Sequence, residues 1–369
     1  MAEWIECTLG DLVTFQRGHD LPKSQMQEGP YPVVGSNGII GFHNEYTTDN
    51  PSITVGRSGN VGKPFIYYGK TWSHNTTLYV KDYKGNDPVF VFYFLKTMDL
   101  ANYAGGSAVP TLNRNHIHTL PVLIPKNVEI QRKIGTFLKQ FDDKIEENER
   151  INNNLEQQAQ AIFANEFLSL DTLPEGWKQA SLIDIADYLN GLAMQKYRPT
   201  ADESGIPVLK IKELRQGCCD DNSELCSPSI KSDYIIHDGD VIFSWSGSLL
   251  VDLWCGGICG LNQHLFKVTS SKYDKWFYYA WTKHHLDRFV AVAADKATTM
   301  GHIKRDELAK AEVLIPNEAD YNRIGALLQP IYEMIISNRI ENKKLAATRD
   351  TLLPKLMNGE IDMSEVDYE

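Results

Sequence analysis

One periodic seam constrains this chain more than any other feature. From Ile134 to Ile162 the positions Ile134, Leu138, Phe141, Ile145, Asn148, Asn152, Leu155, Ala159 and Ile162 advance by alternating steps of four and three. That spacing lays them along one stripe of an α-helix, the stripe by which a helix packs along a second helix. The pattern returns near the C-terminus. Ile324, Leu328, Ile331, Ile335, Asn338, Asn342, Leu345 and Leu352 each stand 190 residues after their counterpart, as Ile335 does after Ile145. Both seams carry two asparagines at matching places, and a polar residue on such a seam lowers stability while setting register. The repeat predicts one long helix used twice, the two copies lying antiparallel with Asn148 and Asn338 near the middle and facing each other. Pro330 falls inside the second pattern and predicts a kink or restart, because proline lacks an N–H and clashes one turn back.

The remainder of the chain repeats with the seam. Trp4, Leu9, Asp11 and Leu12 return as Trp177, Leu182, Asp184 and Ile185, and Tyr31-Pro32-Val33-Val34 returns as Ile206-Pro207-Val208-Leu209. Ser58-Gly59 has its counterpart in Ser246-Gly247, and Val122-Leu123-Ile124-Pro125 comes back intact as Val313-Leu314-Ile315-Pro316. Short β-prone runs bounded by Gly and Pro (52–55, 65–68 and 76–80) read as strands, and 88–103 reads as helix. The expected architecture is therefore mixed α/β (α+β) with a pseudo-twofold internal repeat. Its parts are a first module over 1–128, a long helix over 129–170, a second module over 171–318, a second long helix over 319–360 and a tail over 361–369. Between the shared landmarks the loops differ in length and side chains, and loops on a fixed scaffold are where recognition concentrates.

Composition narrows the function. No apolar run approaches the roughly 18 residues of a membrane helix, and the N-terminus has no basic-then-apolar leader pattern; a cytoplasmic protein without a membrane role is expected. The net charge of −11 argues against a chain that wraps a polyanion along its whole surface. The surplus is uneven, since residues 1–128 hold ten acids and ten bases whereas 129–171 hold nine acids and five bases. Any nucleic-acid face is local, or completed by a partner. Cys218, Cys219, Cys226, Cys255 and Cys259 crowd the second module without the paired CxxC spacing of a zinc knuckle, so no metal site is expected. The glycine runs 35–41 and 56–63 are neither GxGxxG nor a Walker loop. They read as tight turns, or as loops whose amides approach a nucleic-acid phosphate. No nucleophile–base or carboxylate-pair constellation emerges, and no catalytic centre is expected.

With these residues in view, the chain resembles the specificity subunits of type I restriction-modification enzymes over nearly its whole length. The resemblance rests on YPVVGSNGIIG at 31–41, VGRSGNVGK at 55–63, the repeated VLIP and the two seams. It implies two tandem target-recognition domains, separated by two long antiparallel coiled-coil helices, each reading one half of a split double-stranded DNA sequence. It further implies two methyltransferase subunits as partners, restriction subunits in the full complex, and S-adenosylmethionine, ATP and Mg held by those partners, with no catalysis in this chain.

The candidate DNA contacts are polar side chains of the divergent loops. In the first module they are Asn37, Arg57, Ser58, Asn60, Lys63, Thr111, Asn113 and Arg114. In the second they are Lys210, Lys212, Trp245, Ser246, Ser248, Lys296, Thr298, Thr299, His302 and Lys304. Arg and Lys can bond guanine and Asn can bond adenine, while Ser and Thr mostly meet phosphate. Two other readings compete: a protein-only adaptor built on a coiled-coil rod, and a self-sufficient methyltransferase, against which the missing cofactor loop speaks.

Overall fold

The computed structural model describes residues 2–49, 51–106, 110–295 and 305–366. The chain divides into two compact units, Met1–Lys144 with Leu345–Glu369, and Ile145–Lys344. Both long helices pass from one unit into the other.

The first unit opens with strand Trp4–Thr8, paired antiparallel with Pro121–Pro125. At its end the Asp11 carboxylate accepts hydrogen bonds from the Thr8 N–H at 2.9 Å and hydroxyl at 2.6 Å, capping the turn Leu9–Leu12. A four-stranded antiparallel sheet follows in the order Thr14–Arg17, Thr77–Asp82, Ser52–Gly56, Pro64–Tyr67. A smaller sheet sets Tyr31–Gly35 between the hairpin strand Gly38–His43 and, in parallel, Trp72–Ser73. Helix Pro88–Thr97 buries Phe90 to Leu95 in the core, and the expected helix through residue 103 ends earlier, a short 3-10 turn taking up Leu100–Tyr103.

The second unit repeats this wiring. Strand Lys178–Ser181 pairs with Glu312–Ile315, and Asp184 accepts from the Ser181 N–H and hydroxyl as Asp11 does from Thr8. The sheet order Asp187–Asn190, Leu265–Thr269, Val241–Ser244, Leu250–Leu253 matches that of the first unit, and Ile206–Leu209 again takes a parallel partner, Cys259–Leu261. Two glycine pairs that sequence reasoning passed over mark the equivalence. A Cβ on Gly18 would sit 2.0 Å from the His74 carbonyl oxygen, and one on Gly191 would sit 2.2 Å from that of Asn262. Gly135 and Gly325, again 190 residues apart, let the long helices approach Phe90 and Trp276 respectively.

The long helices run Val128–Phe163, extended by a π-helical turn at Ala164–Leu168, and Glu318–Met357. All the seam positions named above are buried or half-buried. In the first unit Tyr93 donates to Asp142 at 2.5 Å and Arg349 bonds the other carboxylate oxygen. In the second unit Asn148 Nδ2 donates to Asn342 Oδ1 at 2.8 Å, Asn338 Nδ2 donates to Asn152 Oδ1 at 2.9 Å, and Arg323 clamps Glu166 through two bonds of 2.8 Å. Partner numbers fall as residue numbers rise, so the helices are antiparallel within each unit.

Two expectations need correction. Asn148 faces Asn342, not Asn338, because 190 residues measures repetition rather than contact: the repeat exchanges 148 with 338 and 152 with 342, turning one bonded pair into the other. Pro330 neither ends nor restarts the second helix, which is continuous through it. The ring sits on the exposed side, where water can take the carbonyl that proline leaves unbonded, while buried Leu328 and Ile335 hold the helix on course.

Candidate nucleic-acid interface

In the first unit the divergent loops converge at one end of strand Ser52–Gly56. The turn after it closes on itself, with Gly56 N–H donating to the Lys63 carbonyl at 3.1 Å and Gly62 N–H to the Gly56 carbonyl at 2.8 Å. Gly59 and Gly62 hold φ of +84° and +80°, where a side chain would be strained. Arg57 N–H donates to the Thr76 carbonyl at 2.8 Å, and Leu112 N–H to the Arg57 carbonyl at 2.9 Å. Ser58 bridges to Thr111, and Ser36 N–H donates to the Thr76 hydroxyl at 3.2 Å. Those bonds gather Asn37, Arg57, Ser58, Asn60 and Thr111 around Thr76. Asn113 caps the short helix Arg114–His118 by accepting from Asn115 N–H at 2.9 Å, which leaves its side chain committed at that end. Lys63 lies 5.5 Å over the Phe65 ring, with its ammonium group exposed to solvent.

Beside Lys63, the charge at this cluster is carried by arginine. Among the described residues neither the Arg57 nor the Arg114 guanidinium has a hydrogen-bond or ion-pair partner, although most arginines of this acidic chain are matched to carboxylates or carbonyls. His118 contributes no charge near neutrality: burial lowers its pKa, Arg114 lowers it further, and its Nε2 accepts from Phe15 N–H at 2.9 Å. Two unneutralised, planar donor sets on adjoining loops suit phosphate or guanine edges.

The second unit fills the same station differently. Trp245 N–H donates to the His264 carbonyl at 3.4 Å, as Arg57 does to Thr76, and Gly247 takes φ +66° where Gly59 has +84°. The Trp245 indole stacks on Phe266 with ring centres 5.6 Å apart, and its Nε1 donates to Asn190 at 2.9 Å. Ser246, expected at the surface, is only 2% exposed, its hydroxyl bonded to His264 at 3.0 Å; it is a structural residue of the turn, since the close approach of the two strands leaves no path to solvent. Ser248 is half-buried, and its carbonyl accepts from the Ser244 hydroxyl at 2.9 Å.

Lys210 and Lys212 are not free cations either. Lys210 bonds Glu224 at 2.6 Å and Lys212 bonds Asp220 at 3.1 Å. Those bonds hold both carboxyls below the usual range. A phosphate would have to compete with an acid for each. Lys296, Thr298, Thr299, His302 and Lys304 lie outside the described residues. Cys219 and Cys259 lie in one small apolar cluster with Leu209 and Trp254, and no group of three or more metal-ligating side chains occurs among the described residues. No helix among them is long and apolar enough to cross a membrane.

The same wiring in both units has a counterpart in known proteins. A family described as type I restriction modification DNA specificity domain matches residues 1–157 and again 174–347. The chain belongs to that family. It carries two type I DNA specificity domains, one for each half of the repeat. The MjaIX type I specificity subunit of Methanocaldococcus jannaschii is 28% identical over 306 residues, covering 75% of this chain and 70% of the relative. The HindI type I specificity subunit of Haemophilus influenzae is 20% identical over 356 residues, covering 74% and 77%. In fold the chain is similar to the crystal structure of a type I restriction-modification S subunit from M. genitalium, with a TM-score of 0.65 over 96% of each chain at 15% identity.

Proposed function

We propose that this chain is the address reader of a type I restriction-modification complex, each unit reading one half of a split double-stranded DNA target while partner subunits do the chemistry. The carrying observation is that one backbone station, bonded to Thr76 in one unit and His264 in the other, presents Arg57 in the first and Trp245 in the second. Equal frames with unlike side chains suit two half-sites of unlike sequence. In this reading Arg57 and Arg114 take guanine edges or phosphates in the first half-site. Trp245 and the loop around it supply a less charged surface in the second.

The long helices pair as an antiparallel coiled coil that sets the spacer between half-sites and docks two methyltransferase subunits, with restriction subunits joining the full enzyme. S-adenosylmethionine, ATP and Mg belong to those partners, and this chain is non-catalytic. A helix of 36 residues is about 54 Å long at 1.5 Å per residue, roughly one and a half turns of B-DNA.

The test is selection from a randomised DNA library by the complex of this chain with its methyltransferase subunits, comparing wild type with Arg57→Ala. Loss of one base contact costs about 1–3 kcal/mol, and relaxed preference is expected at positions of one half-site only, with the spacer and the other half unchanged. Loss at both halves contradicts modular reading. A wild-type complex that retains DNA without salt-dependent sequence selectivity favours a protein-only adaptor instead.

A further inference from the structure

The hairpin beside the Arg57 turn carries apolar side chains that face water. Strand Tyr31–Gly35 turns through Ser36-Asn37 into Gly38–His43, and the register slips once along the way. Val33 faces Gly41 whereas Val34 faces Ile39, so Ile40 is an extra residue, a bulge. Successive side chains of an unbroken strand point to opposite faces. Here two consecutive isoleucines reach the surface instead, Ile39 at 52% and Ile40 at 37% exposure.

The hairpin is anchored at both ends. At its root His43 is buried, packs edge-on against Trp72 with ring centres 5.1 Å apart, and accepts from Gln27 N–H at 3.1 Å. At its tip Thr76 holds the hairpin and the Arg57 turn together. The Thr76 hydroxyl accepts from Ser36 N–H at 3.2 Å, and its carbonyl accepts from Arg57 N–H at 2.8 Å. A Cβ on Gly59 would meet the Ser36 hydroxyl oxygen at 3.0 Å, and one on Gly35 would meet Ile40 Cγ2 at 3.1 Å. The isoleucines are thus fixed beside the turn that carries Arg57. The second unit does not repeat them. There Leu209 leads into helix Ile211–Gln216, and the short strand Leu225–Cys226 takes the outer place on Ile206–Leu209. Leu225 faces Pro207 as Phe42 faces Pro32, and both are exposed, so that station is common to the units. Ile39 and Ile40 belong to the first unit alone.

An apolar pair beside an arginine that no carboxylate neutralises suits a partner with anionic edges and a flat, apolar interior. Stacked bases between phosphate strands are such a partner. We infer, on the reading of this chain as a DNA address reader, that Ile39 and Ile40 form a wedge that enters one base step of the first half-site and partly unstacks it. Pyrimidine–purine steps unstack most easily, so the wedge selects sequence without a hydrogen bond to any base. It gives the first half-site a preference that Arg57 and Arg114 do not supply.

The experiment uses the complex of this chain with its methyltransferase subunits and the same randomised library. Wild type should favour a pyrimidine–purine step in one half-site. Ile39→Ser combined with Ile40→Ser should lower that preference about tenfold and leave the other half-site unchanged. 2-Aminopurine at the purine of that step should brighten when wild type binds, as an unstacked base does, and stay dim with the double variant. Because Ile40 packs on Gly35, Ile39→Ser alone guards against a folding defect, and Ile39→Val should keep the signal. The inference is overturned, with address reading intact, if wild type selects DNA but prefers no such step or leaves 2-aminopurine dim. It is equally overturned if the serines weaken assembly with the methyltransferase subunits and leave base preference unchanged, which makes the pair a protein-docking patch. A wild-type complex without salt-dependent sequence selectivity overturns the wedge and the address reading together.

Discussion

The amide pair Asn152–Asn338 offers the sharpest test of how the long helices hold each other. Both side chains are more than nine-tenths buried, Asn338 Nδ2 donates to Asn152 Oδ1 at 2.9 Å, and Asn152 Nδ2 reaches the Ile335 carbonyl at 3.4 Å. Replacing Asn338 by leucine strands the Asn152 oxygen among apolar neighbours, and an unsatisfied buried acceptor costs about 1–3 kcal/mol. Asn152→Leu strands the other partner at a similar cost. The double variant removes both polar groups and leaves two leucines on an apolar seam, which is nearly neutral or stabilising. The singles and the double should therefore be non-additive, with a coupling of at least ~1 kcal/mol in favour of the double. The Asn148–Asn342 pair stays intact throughout and holds the register. Urea unfolding followed by tryptophan fluorescence and far-UV circular dichroism supplies the three free-energy differences. A double variant as destabilised as the sum of its singles would falsify the claim that these amides satisfy each other.

Other outcomes follow from the same geometry. Gly18→Ala pushes a methyl group against the His74 carbonyl, which is backbone and cannot swing aside; a loss of about 1–3 kcal/mol should appear in the unfolding of the first unit and be probed by hydrogen exchange. Pro330→Ala restores a helix hydrogen bond at an exposed position, and a gain of up to about 3 kcal/mol should raise the thermal midpoint; no gain would mean the helix has already adapted to the ring. Glu166 is held below the usual carboxylate range chiefly by its hydrogen bonds from Arg323. A lowered pKa stabilises the fold above the unfolded-state value and the contribution fades as pH falls through the folded one. The stability gap between wild type and Arg323→Gln should therefore be largest near neutrality, shrink below the ordinary glutamate range and narrow with salt.

Reading the residues in order reached a good deal of this. The seam positions and the landmark repeats from Trp4 to Pro316 lie where periodicity put them, because a stripe of apolar groups has few ways to leave water. Local chemistry was equally legible at Thr8–Asp11 and Ser181–Asp184, where three residues suffice to make a cap. Among the candidate contacts, Arg57 and Arg114 keep unpartnered guanidinium groups, whereas Ser246 is buried and Lys210 and Lys212 are bonded to acids ten or so residues away. Nothing in the local sequence distinguishes a lysine that faces solvent from one that Glu224 will neutralise. The glycine pairs 18/191 and 135/325 could have been found from the repeat itself, since glycine recurring at matched places signals close backbone approach.

Periodicity and duplication, both properties of the linear chain, dictated two like α/β units and two long helices, since burying a stripe or a strand face depends only on nearby spacing. Which asparagine meets which, whether Pro330 breaks its helix, and which loop cations stay unpaired were settled by folding. Those outcomes depend on groups far apart in the chain, and a repeat distance measures likeness between two places without saying that they touch.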